Sequence, residues 1–352
     1  MTRLITATAP IRTCDCGGWT DTWFARHGAV FHIAIEPGVR VRVDVRPSAS
    51  AEAEPVIVHA ENYADRYAFV PGMRPWARHP LLEAAIESVG VPPELSAEIH
   101  VQSAVPPGAS TGTSAAVCVA LIGALHLLWD RRPGADTIAA EAHAVEVERL
   151  GQQSGLQDQL AAAHGGVNFI EITDYPSARV HPLSLSDQVR AAIDQQLILV
   201  YLGRTHSSSA IHDAVIRDMA GAGPGHPALT AMREAAAQAR DAVVAGDLVM
   251  LGDAMRANTE AQRRLHAALV GVDAQRVIAI ARAHGALGWK VNGAGGEGGS
   301  LAVLCGPGPG ARALLEAAIT AASPAYRLVP MSIAHKGLCV SASGDDTIEG
   351  EA

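Results

Sequence analysis

The sequence predicts an α+β protein of two domains, on three observations. Short β-branched or alternating segments, mostly bounded by Gly or Pro, dominate the N-terminal part. Long helical patterns take over from Ser114. A continuous apolar segment, 197–202, then follows the more polar stretch 184–196 and marks a domain boundary, giving 1–196 and 197–352. At 352 residues the chain is long enough for two domains of ordinary size, each with its own core.

Taken in order, segments 3–10, 29–36, 40–45 and 97–101 read as strands of a β-rich N-terminal layer. Helices are expected over 114–129 and over 135–150, the second stopped by Gly151, with a third opening near Ser154. Beyond the boundary, amphipathic helices are expected at 226–245, 248–269 and 273–284. Strands at 289–292, 301–305 and 337–340 complete a second α+β domain. There is no internal repeat, and only the acidic tail from Gly344 has the composition of a disordered segment.

Composition excludes several function classes. With 27 basic against 36 acidic residues the net charge is −9, and no basic run stands out, which argues against a nucleic-acid partner and for a small molecule. The five cysteines are too few and too scattered for a disulfide framework, which points to a reducing compartment. Cys14-Asp15-Cys16 has no second Cys/His pair at zinc-finger distance and is read as packing. The longest apolar run, 115–129, is shorter than the ~20 residues a bilayer span needs, and the N-terminus lacks a signal peptide's apolar core. A soluble, cytoplasmic protein with no membrane partner is expected; oligomeric state is not legible.

Four stretches carry candidate chemistry. Pro106-Pro107-Gly108-Ala109-Ser110-Thr111-Gly112-Thr113-Ser114 runs into the apolar helix. Its glycines let the backbone approach an anion, and its hydroxyls sit where a helix presents unpaired N–H groups and its positive dipole end. It lacks the GxxxxGK[ST] pattern, and a Pro/Gly turn before a capped core helix would read the same way. Glu141, Glu146 and Glu148 lie on the next helix, with seven-residue spacing placing Glu141 and Glu148 on one face; such a carboxylate suits Mg²⁺ as well as a solvated face. Ser154-Gly155-Leu156-Gln157 has capping-box spacing, and Asp158 behind it is either a dipole-stabilised acid or a fixed carboxylate able to orient a hydroxyl. Gly17-Gly18-Trp19-Thr20-Asp21 sets an aromatic face beside a carboxylate, a pairing that suits a polyol or a turn with a core Trp. Residues 293–299 contain a formal GxGxxG, but a strand rather than a helix follows, so a dinucleotide fingerprint is rejected.

Together these pieces resemble the GHMP kinase family. Ala9-Pro10-Ile11-Arg12, continuing to Asp21, is similar to its first motif, the loop from Pro106 to its second, and Trp289-Lys290-Val291-Asn292-Gly293-Ala294-Gly295-Gly296 to its third. Gly18 to Thr22, Ser154 to Phe169 and Gly203-Arg204-Thr205-His206-Ser207-Ser208-Ser209 resemble the D-glycero-D-manno-heptose 7-phosphate kinase and L-fucokinase branch.

The resemblance implies a β-rich nucleotide-binding N-terminal domain and a ferredoxin-like C-terminal one. It implies ATP and Mg²⁺, with Pro107, Gly108, Ala109, Ser110, Thr111, Gly112, Thr113 and Ser114 around the phosphates, and Ser114 and Glu148 on the metal. Asp158 would face the acceptor hydroxyl and Arg12 would steady the transferring phosphoryl, while Trp19, Thr20, Asp21, Gly293 and Gly295 would bind the sugar. Arg204, His206 and Lys290 are candidates for a second anion site if the acceptor is already phosphorylated. Ser110-Thr111, Asn292 and Glu297 depart from the family pattern, and a carboxylate at Glu297 would repel phosphate. The expected activity is phosphorylation of an anomeric hydroxyl, with heptose 7-phosphate first. Fucose or another free sugar is the alternative, and a non-catalytic sugar- and ATP-binding regulator on the same fold is the rival from another class.

Overall fold

The computed structural model describes residues 3–49, 54–204, 208–219 and 223–343, with the side chains of 208–212 outside the description. The expected acidic tail falls outside it, as does His206. The first strands are β1 (Arg3–Cys16), β2 (Gly28–Pro47), β3 (Val56–Ala60), β4 (Asp65–Phe69) and β5 (Leu95–Ser103), with α1 (Pro80–Val89) between β4 and β5. α2 (Thr113–Leu128), α3 (Ala135–Ala144) and α4 (Gln157–His164) follow, then β6 (Val167–Asp174), β7 (Ser177–Pro182) and α5 (Asp187–Gln196). β8 (Leu197–Tyr201) leads into α6 (Ser208–Met219), α7 (Pro227–Ala245), α8 (Leu248–Leu265) and α9 (Val272–Ala283). β9 (Gly288–Val291), β10 (Ser300–Leu304), α10 (Ala311–Ala322), β11 (Arg327–Val329), β12 (Ser332–Ile333) and β13 (Cys339–Ala342) complete the chain.

Two sheets organise the molecule. The first has nine strands with a spine ordered β13-β1-β2-β5-β3-β4, joined by β6, β7 and β12. The second is antiparallel, ordered β11-β8-β10-β9. Counted within itself that order is 4-1-3-2, the ferredoxin-like arrangement, with four helices in the first crossover. Helices α2 and α4 cover one face of the first sheet, α7 and α8 lie between the sheets, and α9 and α10 back the second. α2 is apolar on every side because it is enclosed on every side, and its small residues let neighbours close in.

The structure redraws several expected elements. Segments 29–36 and 40–45 are one twenty-residue strand, β2. Pro37-Gly38, which reads as a turn, is instead an irregularity where β1 shifts register between Ala9 and Ile11. A Cβ at Gly38 would stand 2.2 Å from the Ala9 carbonyl oxygen. The polar stretch before β8 contains a helix, α5, capped by Ser186. The strand expected at 337–340 forms as β13, but pairs with β1 in the first sheet rather than joining the second. The helix expected over 135–150 ends at Ala144 and continues as a π-helical turn, Val145–Arg149.

Candidate active site

A cavity of about 770 Å³ opens where the loop before α2, the end of β1, the start of α4 and the loop after β9 converge. All eight residues from Pro107 to Ser114 line it. Gly108, Ser110 and Gly112 hold positive φ values of 77°, 57° and 70°, which folds the loop back on itself. Gly112 is the N-cap of α2 and no side chain caps that end, so the first-turn N–H groups point at the cavity with the dipole behind them. Thr111 is fully buried, with its hydroxyl 3.1 Å from that of Thr113. The donors left for an anion are thus backbone N–H groups and the hydroxyls of Ser110, Thr113 and Ser114.

Arg12 is the hub. It is 3% exposed and donates from Nε to Asp158 Oδ1 at 2.8 Å and from Nη1 to the Ser110 carbonyl at 2.5 Å. Burial works against its charge, but Asp158 and Asp15 outweigh that and hold the guanidinium firmly protonated. Asp158 stands in the first turn of α4 with 28% of its side chain exposed to the cavity. A Cβ on Gly112 would meet its carboxyl carbon at 3.1 Å, so the loop before α2 and the acid touch through a glycine.

Behind Arg12 lies a buried layer that sequence reasoning assigned otherwise. Asp15, read as packing, accepts from Lys290 Nζ at 3.1 Å and from the Gly293 N–H at 2.9 Å, and lies 3.8 Å from Arg12. Burial raises its pKa, but Lys290 and Arg12 more than compensate and hold it below the ordinary aspartate value. Lys290 is fully buried, also donates to the Val291 carbonyl, and so is not open to a phosphate in the cavity. α8 supplies three further supports: Asn258 accepts from the Gly17 N–H at 2.7 Å, Thr259 donates to the Trp289 carbonyl at 3.0 Å, and Gln262 donates to the Gly293 carbonyl at 3.2 Å. The legible signal was a lysine in an apolar strand and polar residues on a helix's buried face, each of which demands a partner.

Asp21 lines the cavity but is almost wholly buried, and its Oδ2 accepts the N–H groups of Leu156 and Gln157 at 2.9 and 3.0 Å. It therefore caps α4, the role that capping-box spacing had suggested for Ser154. Burial, with the nearby Asp158, lifts its pKa to about 6 against the helix-end hydrogen bonds. Ser154 donates instead to Glu146 at 2.6 Å, and Gln159 does the same at 2.6 Å. Glu146 is buried, lines the cavity, and is pushed up to about 7, chiefly by burial. Glu148 is exposed and does not line the cavity. The seven-residue spacing assumed a continuous α-helix; the π-helical turn rotates the later residues, and Glu141 pairs with His126 at 2.6 Å instead.

Of the other expected residues, Trp19 and Gly293 line the cavity, and Ala294, not assigned a role from the sequence, lines it too. Thr20 does not: its hydroxyl closes a turn by donating to the Gly17 carbonyl at 2.7 Å. Gly295 packs against the Leu269 carbonyl, where a Cβ would come within 2.1 Å, and stays out of the cavity. Arg204 is 63% exposed, lies near Asp273 and Glu297 at 3.6 and 3.7 Å, and is also outside the cavity. Glu297 thus points to solvent rather than to a phosphate. At the opposite end the cavity is walled by Asn62, Tyr63, His79 and Leu81, which no sequence signal singled out.

The donor set fits a metal and a polyol. Glu146 is a buried carboxylate whose hydrogen-bonding partners, Ser154 and Gln159, are both neutral, and it shares the cavity with the Ser114 hydroxyl, a combination that suits Mg²⁺. Gln157 Oε1 is buried in the cavity wall without a hydrogen-bond partner among the described residues, an acceptor suited to a sugar hydroxyl. No helix of the described residues is long and apolar enough to cross a membrane.

Residues 80–166 match the family model described as GHMP kinases N terminal domain. The chain is 26% identical over 204 residues to D-glycero-alpha-D-manno-heptose 7-phosphate kinase of Campylobacter jejuni, covering 58% of this chain and 60% of that protein. It is 29% identical over 229 residues to mevalonate kinase of Pyrococcus horikoshii, covering 62% and 60%. The matched region thus spans about 60% of the length of these curated relatives. Among solved structures, a D-glycero-D-manno-heptose 1-phosphate kinase from Bacteriodes thetaiotaomicron superposes with a TM-score of 0.72 at 18% identity, over 97% of this chain and 99% of that one. Lactococcus lactis galactokinase complexed with galactose does so with a TM-score of 0.71 at 16% identity, over 96% and 95%. These likenesses establish a shared fold.

Proposed function

From a chain that carries a GHMP kinase N-terminal domain and the fold of these kinases, we propose an ATP- and Mg²⁺-dependent sugar kinase acting on an anomeric hydroxyl. The observation that carries this reading is the convergence on Arg12, which touches the phosphate loop at Ser110 and the acid Asp158 at once. In this reading the loop 107–114 holds the nucleotide phosphates, and Tyr63, His79 and Leu81 border the base. Ser114 and Glu146 would hold Mg²⁺, which when bound neutralises phosphate charge.

Arg12 holds the transferring group in line with Asp158. Asp158 orients the acceptor hydroxyl, whose oxygen bonds to phosphorus as the bond to the leaving oxygen breaks; the hydroxyl proton passes toward the carboxylate. Trp19, Asp21 and Gln157 bound the sugar. Positioning and charge neutralisation supply most of the rate. The domain division near residue 196 belongs to the same reading, with the second unit contributing the loop at Gly293 and the strands β12 and β13 returning to the first sheet.

Heptose 7-phosphate is the first acceptor to test, because a heptose 7-phosphate kinase is among the curated relatives, at 26% identity over 204 residues. A free sugar is the second reading, favoured by Arg204 and Lys290 lying outside the cavity. The experiment is turnover of ATP with a panel of sugars, sugar phosphates and mevalonate, using the parent and Asp158→Asn. Expected is turnover with one sugar class, reduced about 10²-fold or more in the variant with ATP binding retained. Turnover with mevalonate alone would overturn the sugar assignment, and ATP and sugar binding without turnover would leave a regulator.

A further inference from the structure

The outer face of the first sheet carries a second cluster of chemistry-bearing side chains. β3 and β5 run parallel with His59 opposite His100, and the two imidazoles stack with centroids 4.1 Å apart and planes 11° from parallel. Glu98, two residues before His100 and so on the same face, places Oε1 2.6 Å from His59 Nε2. One ligand atom from each of the three residues lies within 4.8 Å of the others. Ala60 and Val101, next in register, face the cavity, so one sheet thickness separates this cluster from it.

We propose that His59, Glu98 and His100 form a binding site for a divalent transition-metal ion of the Zn²⁺ type, separate from the cavity. Two imidazoles and a carboxylate are a donor set such ions take readily, whereas Mg²⁺ prefers oxygen alone. Around a tetrahedral ion with bonds of roughly 2.0–2.2 Å, ligand atoms stand about 3.3–3.6 Å apart. Binding would turn an imidazole out of the stack so that both ring nitrogens aim at the ion beside Glu98. The outer shell is already built: His100 Nδ1 faces Glu61 Oε1 at 3.2 Å, so this nitrogen can carry the proton and leave the Nε2 lone pair for the ion. That Nε2 now faces Arg42 at 3.2 Å and Asp44 at 3.5 Å.

The surrounding charge favours a cation. Glu98, Glu61 and Asp44 face two guanidiniums: Arg42, which is paired to Asp44 at 3.0 Å, and Arg66, which is 62% exposed and only 3.9 Å from Glu98. Three carboxylates against two cations leave one net negative charge before the ion arrives. When the ion takes His59 Nε2, the hydrogen bond to Glu98 is exchanged for two metal bonds and a neutral ring keeps its proton on Nδ1.

The test is calorimetric titration of Zn²⁺ into the chelator-treated full chain in excess Mg²⁺, which keeps oxygen sites filled. Expected is one saturable site, weakened about tenfold or more in His59→Gln and in His100→Gln, and unchanged in His181→Gln, a histidine on β7 away from the cluster. A second measurement needs no variant: Zn²⁺ should slow diethyl pyrocarbonate modification of His59 and His100 in the parent, mapped by mass spectrometry. Absence of a saturable site, affinity equal to the parent's in both cluster variants, or unchanged modification rates at both histidines would each overturn the proposal.

Discussion

Lys290 shows how much of the site rests on one side chain that never reaches it. Its ammonium and the Asp15 carboxylate are both fully buried, and removing one partner strands the other's charge. Lys290→Met should lower stability by about 3–5 kcal/mol, and adding Asp15→Asn should restore part of that loss, as read by chemical denaturation in a double-mutant cycle. Asp21 makes a second residue-scale prediction. Its pKa rises on folding from 3.8 to about 6, so the folded state binds the proton more tightly. The stabilisation is complete below about pH 4 and is lost as pH rises through 6. At roughly 1.4 kcal/mol per pH unit the effect is about 3 kcal/mol at most. Asp21→Asn keeps a cap acceptor without the charge, so its stability relative to the parent should grow as pH goes from 4 to 8. A flat difference across that range would show that Asp21 titrates normally.

At the level of elements, the loops bracketing Arg12 leave no spare volume. Gly293 has φ 59°, and a Cβ there would stand 3.0 Å from the Ser110 carbonyl oxygen and 3.2 Å from Arg12 Nη2. Gly293→Ala should cost about 1–3 kcal/mol in backbone strain. If Arg12 holds the transferring group as proposed, the substitution should also cut kcat more than it raises the KM for ATP; steady-state kinetics and a melting curve separate the two effects. That the loop before α2 lines the cavity was legible because its features are local: glycines, hydroxyls and a helix start adjacent in sequence. The cavity-lining glutamate, Glu146, was not, because which carboxylate turns inward depends on the π-helical turn at Val145–Arg149, and a single extra residue per turn leaves no mark in a hydrophobic pattern. β2 was split for a similar reason, since Pro37-Gly38 normally ends a strand and here only bends one alongside the β1 irregularity.

Across the whole molecule, what sequence could not reveal was pairing between distant segments. Strand character at Cys339–Ala342 was readable, but its partner Ile5–Thr8 stands at the other end of the chain. The same holds for Asp15 with Lys290, whose juxtaposition requires both sheets to be assembled. β13 also packs over α2 at Gly123, where a Cβ would meet Leu338 at 2.6 Å. A chain cut after Gly337 should lose the β13 pairing and the Leu338 contact together; a melting temperature lowered by several degrees and concentration-dependent light scattering are expected. An unchanged melting temperature would show that this strand is dispensable.

That late pairing also sets an order of events during synthesis. β1 is made before the other described strands, yet its outer edge stays unpaired until residues 339–342 have left the exit tunnel, behind both helical layers and the second sheet. For most of translation the nascent chain therefore displays an open edge on its earliest strand, the kind of surface that recruits neighbouring polysomes or a holdase. Ribosome-bound intermediates of this protein should be chaperone clients until β13 clears the tunnel, as pull-down of chaperones with stalled nascent chains of increasing length would show.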